Sequence, residues 1–541
     1  MNYIDLEQEL RQATESIIKS DHPKKLIVAG PGTGKTYLFK GLLEKANKNS
    51  GSRLVITFIN NLKDDLDKKL SHLSHVFTFH GYCYHLLRKS PGFRAGLSDQ
   101  FYYFPKLAHL VKRDWELIKG GETPHFVKLM RDLQDGDETR FYWLRSNYYD
   151  AVEFDDSVYR VYHQLLAGRD KLESYTPLIV DEYQDFNRLE AEFIKLFAST
   201  SAIVIAGDDD QALYAKIRGA KFDFIRQLQQ SGEYEFWTLP FCLRCPQPIV
   251  GAVENIVNHA SKNGWLQGRI TKPYRFYPPL KAVDSKKYPF VNVVTVSAQS
   301  ERVNYFGRYI AQQVRKIPKD EIEESKSEEF PTVLVIGSRQ YLRQIRHFLE
   351  ESGFIIEMED KAETARIERE EGISIIKQNI KSNLGWRIMI EAERPTWADE
   401  VVIKSGVSNT SLYSIIPADY REDIVSEVEK WEKVDTPEHP VQLSPSSQPT
   451  IKLTSFEGSK GLSAQHVFIV GLHANEFPKD ARNIEDLEIC RFIVALTRAR
   501  KQCYLMHTGV FSGTYKQPSV FLSWIGDEWK KELSVNKKYW Q

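Results

Sequence analysis

The segment Ala29-Gly30-Pro31-Gly32-Thr33-Gly34-Lys35-Thr36 constrains this chain more than any other. It follows the apolar run Leu26–Ala29 and precedes the helical pattern Tyr37–Lys45. A strand, a glycine-rich loop and a helix in that order turn successive backbone N–H groups toward one point, where phosphate oxygens can be held. Gly30, Gly32, Thr33 and Gly34 form the cradle, Lys35 reaches the β- and γ-phosphates, and the Thr36 hydroxyl binds Mg²⁺. The loop requires an α/β fold around a buried parallel sheet.

Leu178-Ile179-Val180-Asp181-Glu182 supplies a second part of such a site. An acidic residue at the C-terminal end of a parallel strand faces the ligand crevice. Asp181 can share the Mg²⁺, and Glu182 can orient water and take its proton. A solvated acidic pair opening a helix is the alternative reading. Beside the phosphate loop, hydrolysis of a nucleoside triphosphate is the expected reaction.

Short β-branched runs fall in two sets, at roughly 25–60 with 176–240 and at roughly 290–340 with 450–507. The simplest architecture is two α/β cores, each interrupted by an insertion. The expected boundaries are 1–88 with 176–262 for the first core and 89–175 for a helical insertion. The second core takes 263–355 with 449–541, and 356–448 form a reduced insertion. Thr271–Tyr288 and Asp435–Pro449 read as linkers. The start, MNYIDLEQELRQ, lacks the apolar core of a signal peptide, and no run approaches the roughly 18 residues of a membrane span. A cytoplasmic location follows, in keeping with five cysteines that make no disulfide framework. Cys242-Leu243-Arg244-Cys245 lacks the second ligand pair of a zinc site.

Asp181-Glu182-Tyr183-Gln184-Asp185 resembles the DExQD signature of UvrD/Rep-type superfamily 1 DNA helicases. Other segments resemble that family in order: the phosphate loop, Thr57–Asn60, Thr78–Gly81, Gly207–Tyr214, Leu239–Arg244, Ser459–Leu462 and Val494–Ala499. The resemblance implies two RecA-like domains with helical insertions, ATP and Mg²⁺ in the cleft between them, and single-stranded DNA across their top. It implies that Gln211 senses the γ-phosphate and that Arg244 and Arg498 neutralise charge from the second core's side. Gly461 would contact nucleotide, and either Gln8 or Gln12 would read adenine. Phe58, Asn60, Thr78, His80 and Tyr214 would meet the strand. The implied activity is a monomeric translocase or helicase of 3′→5′ polarity acting on single-stranded or tailed duplex DNA.

Several positions depart from the family. Leu243 stands where an aromatic usually stacks on adenine, and Tyr37 could supply the ring instead. Glu457 and Ser463 replace the usual His and Glu, and Lys216–Ala220 carries one extra residue. These changes and the reduced second insertion motivate an alternative: an ATP- or DNA-sensing switch subunit serving a nuclease or another repair or defence partner. Net charge is zero, from 73 basic and 73 acidic residues, which excludes a bulk DNA coat. Residues 53–119 nevertheless hold 11 Lys/Arg against 6 Asp/Glu. The segments 319–329 and 357–371 are acidic, and both lie outside the recognised motifs.

Overall fold

The computed structural model describes residues 3–46, 51–214, 218–220, 222–300, 303–358, 367–431 and 448–540. Two all-parallel sheets organise it. The first runs in the order His75–Thr78, Leu54–Thr57, Leu178–Val180, Ile203–Gly207, Lys24–Val28, Glu235–Thr238. Its central strands are almost continuously apolar because helices cover both faces. The helix Lys35–Ala46 buries Leu38, Phe39, Leu42 and Leu43, one stripe at helical spacing. Register fixes what lies beside the phosphate loop. Val28 pairs with Gly207, and Val180 lies between Ile56 and Ile205. The residues after Val28, Val180 and Gly207 therefore emerge at one edge of the sheet, where ligands bind in such folds.

The second sheet has the order Ile356–Met358, Ile451–Thr454, Val333–Ile336, Ala464–Val470, Ala499–Thr508, Val291–Val296, Lys530–Val535. Its closing strand, Lys530–Val535, pairs with Val291–Val296. The helix Gln247–Lys262, expected in the first core, instead packs in the apolar cluster of the second. Ile249, Val253 and Ile256 join Phe492, Phe521 and Trp524 there, and Gly251 lies against the Trp529 ring. The expected linker 271–288 is also corrected. Arg275–Phe276 pairs with Phe241–Cys242, and Pro278–Lys287 is a helix. Prolines at the first turn of that helix pre-set its backbone and do not loosen it. Most of the other linker, 435–449, lies outside the described residues.

The insertions do not stand apart. Leu107, Leu110 and Val111 of the first share one core with Trp386, Ile388, Met389 and Val402 of the second. At their junction the buried Asp114 accepts from Arg145 Nε at 2.7 Å and from Arg387 Nε at 2.9 Å. The aromatic-rich stretch 101–148 builds this core: Phe101, Phe104, Phe126 and Tyr142 are buried. Among the described residues, no helix is long and apolar enough to cross a membrane.

Candidate active site

A cavity of about 860 Å³ lies between the two cores, lined by Gly30–Thr36, Asp181, Glu182, Gln211, Arg244, Gly461 and Arg498. Gly32 and Gly34 take positive φ, +73° and +92°, the left-handed region that glycine enters without steric cost. Room is also limiting, since a Cβ on Gly32 would meet Arg244 Cβ at 2.5 Å. Lys35 Nζ donates to Glu182 Oε1 at 3.1 Å. Glu182 is itself in the left-handed region at φ 55°, and its backbone N–H donates to Asp181 Oδ1 at 2.9 Å.

From Glu182 a chain of amides runs across the strand ends. Gln184 Nε2 donates to Glu182 Oε2 at 2.6 Å, and its Oε1 accepts from the Asp208 backbone at 2.9 Å. Asp208 Oδ2 in turn accepts from Gln211 Nε2 at 2.7 Å.

Two separate segments of the chain bring positive charge. Arg498 Nη2 donates to Gln211 Oε1 at 3.5 Å and Nε to the Val494 carbonyl at 2.8 Å. Arg244 Nη1 donates to the Thr497 carbonyl at 3.4 Å. Burial and the neighbouring Arg244 push the Arg498 guanidinium down to about 9, with Glu182 among the groups opposing them. Burial and the Glu182 charge raise the Asp181 carboxyl to about 7. Burial would raise Glu182 too, but the Lys35 and Lys460 ammoniums outweigh it and hold Glu182 ionised.

Lys460 was part of the Ser459–Leu462 resemblance, yet its position could not be read from sequence. Its ammonium is 3.4 Å from Glu182 Oε2, ion-pairs with Asp185 and donates to the Gln211 carbonyl at 2.6 Å. Arg500 also lines the cavity and donates to Ser463 Oγ at 3.1 Å. Glu457, the other departure, pairs with Arg491 at 2.5 Å.

The expected base-reading set does not assemble. Gln8, Gln12 and Tyr37 are exposed, and none lines the cavity. Leu243 does reach the loop: its N–H donates to the Gly32 carbonyl at 2.8 Å. The ring against the loop is Tyr274, whose hydroxyl donates to the Pro31 carbonyl at 3.2 Å. It lies in the stretch read as a linker, close to Phe276 and Tyr277, and nothing in that spacing says which ring meets the loop.

The strand-contact candidates divide. Phe58 is buried, packed on Tyr214 at 5.5 Å between ring centroids and covered by the Arg218 guanidinium at 4.3 Å. The Tyr214 hydroxyl donates to the Glu457 carbonyl at 3.1 Å. Phe58 is therefore a packing residue here, and Tyr214 is half-buried against it. Thr78 caps the helix Phe79–Lys89 by accepting from the Gly81 N–H at 3.1 Å. His80 is buried against Arg218 at 3.0 Å and Glu190 at 3.4 Å. Asn60, at the start of the helix Asn60–Leu70, is exposed. The altered stretch after Tyr214 falls partly on 215–217, outside the described residues.

Comparison with known proteins agrees with this geometry. The profile of an AAA domain matches residues 12–216. DNA helicase II of Haemophilus influenzae is 24% identical over 312 residues, covering 49% of this chain and 43% of that protein. A probable DNA helicase II homolog of Mycoplasma pneumoniae is 22% identical over 661 residues, covering 99% of this chain and 89% of that protein. The ATP-dependent DNA helicase PcrA of Staphylococcus epidermidis is 22% identical over 324 residues, 51% of this chain and 44% of that protein. The chain thus matches less than half the length of two of these relatives and nearly all of the third.

Proposed function

We propose that this chain, which is UvrD/Rep-like over nearly its whole length, is an ATP- and Mg²⁺-dependent motor on single-stranded DNA. The observation that carries this reading is the convergence of Lys35, Asp181, Glu182, Gln211, Arg244 and Arg498 on one inter-core cavity. Lys35 would pair with the β- and γ-phosphates over the Gly30–Thr36 cradle. Glu182 would orient the attacking water and accept its proton, with Gln211 beside the γ-phosphate. Arg244 and Arg498 would approach developing charge with donor forks that match phosphate oxygens. The Thr36 hydroxyl and the Asp181 carboxylate are hard oxygen donors of the kind Mg²⁺ takes. When bound there, Mg²⁺ neutralises charge on the phosphate oxygens.

Hydrolysis would couple to movement because the site is shared. Nucleotide binding would draw the cores together around Arg244 and Arg498, and turnover would release them. A 3′→5′ polarity and action on tailed duplexes are supported by motif resemblance alone.

The expected result is ATPase activity stimulated several-fold by single-stranded DNA, then unwinding of a 3′-tailed but not a 5′-tailed duplex. ATPase without any stimulation would instead favour the switch-subunit reading. That second reading has one observation in its favour: Phe58 is buried under the Arg218 guanidinium, leaving the strand without a stacking ring at that position.

A further inference from the structure

Three consecutive carboxylates, Asp208, Asp209 and Asp210, converge as ligands around a cation would, and all are buried. The cation among them is an ammonium. Lys272 Nζ lies 2.8 Å from Asp208, 2.9 Å from Asp209 and 2.8 Å from Asp210, with its side chain only 2% exposed. The other two carboxylates have further partners: Asp209 pairs with Arg226 at 3.0 Å and Asp210 with Arg269 at 2.7 Å. Among the described residues, Lys272 is the only ion-pair partner of Asp208.

Asp208 also holds the amide of Gln211, accepting from its Nε2 at 2.7 Å. A carboxylate accepts and cannot donate, so it selects the orientation in which the amide nitrogen faces it. The amide oxygen is then the end turned toward the cavity, where Arg498 Nη2 donates to it at 3.5 Å. If Asp208 lost its charge partner in this buried site it would take up a proton and become a donor. A protonated carboxyl could hold the amide by its oxygen, presenting Gln211 to the cavity the wrong way round.

We propose that Lys272 is a positioning residue for the nucleotide reaction: by keeping Asp208 ionised it fixes the orientation of Gln211 in the cavity. This inference rests on the proposed ATPase reading. It assigns a role to a residue from outside every recognised motif, in a stretch that reads in sequence as a linker.

The test compares ATPase of wild type, Lys272→Ala, Gln211→Ala and the double variant at saturating single-stranded DNA. Binding of a non-hydrolysable ATP analogue is measured alongside. Misaligned reacting groups cost on the order of 10²-fold, so Lys272→Ala should lower kcat by about that factor while analogue affinity is retained. The double variant should be no slower than Gln211→Ala, because both changes remove the same interaction. Ethylammonium added to Lys272→Ala should restore turnover. Normal turnover in Lys272→Ala, losses that multiply in the double variant, or equal loss of affinity and kcat would each overturn the inference. Should the alanine variant fail to fold, Lys272→Gln fills similar space without the charge and carries the same comparison. Wild-type protein lacking any ATPase would sink the motor reading, whereas a normal wild type with a normal Lys272→Ala sinks this inference alone.

Discussion

At the scale of single residues, the cations around the cavity differ in what they should do. Lys35 donates to Glu182 at 3.1 Å from within the loop, so Lys35→Ala should remove both ATPase and tight analogue binding. Arg498 comes from the other core, and an arginine in the role proposed for it contributes about 10³–10⁵ in rate. Arg498→Ala should therefore bind the analogue yet turn over at least about 10³-fold more slowly; near-normal turnover in either variant would sink the site assignment. His80 makes a separate prediction. Burial and the adjacent Arg218 hold its imidazole down to about 3 from an ordinary 6.5, with Asp155 opposing and Arg131 assisting, and Glu190 3.4 Å away. Between those values the unfolded chain binds a proton that the folded chain does not. The stabilising contribution is thus complete above pH 6.5 and is lost as pH falls toward 3, by up to about 1.4 kcal/mol per pH unit. His80→Gln should flatten the dependence of Tm on pH between 4 and 6; identical slopes would show that the imidazole does not titrate there. A motif resemblance marks His80 and Thr78 as strand contacts, but a motif cannot tell a buried ion partner or a helix cap from a surface ligand.

At the scale of elements, the parallel strands were legible because they are apolar runs ended by glycine or acidic residues, and the structure moves most of them by a residue or two. Leu26–Ala29 becomes Lys24–Val28, whereas the apolar run Leu178–Val180 is itself the strand. An apolar stripe shows that one face of the helix Gln247–Lys262 is buried, not against what. The junction of the insertions has the same character. Its ion cluster joins Asp114 and Arg145 to Arg387, more than 200 residues apart in sequence. Removing one member of a buried pair typically costs about 3–5 kcal/mol because the remaining charge has no partner. Asp114→Ala should accordingly loosen both insertions together, read as faster hydrogen exchange in Leu107–Ile118 and Asn383–Glu393. Analogue binding at the cavity should be unchanged. Exchange that rises in the first insertion alone would mean the shared core does not depend on this cluster.

At the scale of the whole molecule, the charge pattern changes meaning. Residues 53–119 read as a basic track of net +5, but much of that charge is answered. Lys68 pairs with Glu329, Lys106 with Glu371 at 2.8 Å and Lys89 with Glu173. Glu329 and Glu371 come from the two acidic segments that had no motif to explain them. Five phosphate contacts on a single strand would give a slope of about −3.5 in log K against log salt. The measured slope should be shallower than that, and Glu329→Gln with Glu371→Gln should steepen it; an unchanged slope would mean that these lysines lie off the DNA path. Sequence alone determined the phosphate loop, the acidic strand end and the two-core architecture, because each depends on local spacing and on which residues can be buried. Only the tertiary structure decided that Tyr274 rather than Tyr37 lies against the loop, that Lys460 enters the site, and that Lys272 is the cation among three carboxylates. Those contacts join segments whose separation along the chain carries no period. Their partners are set by how sheets, helices and charges close on one another.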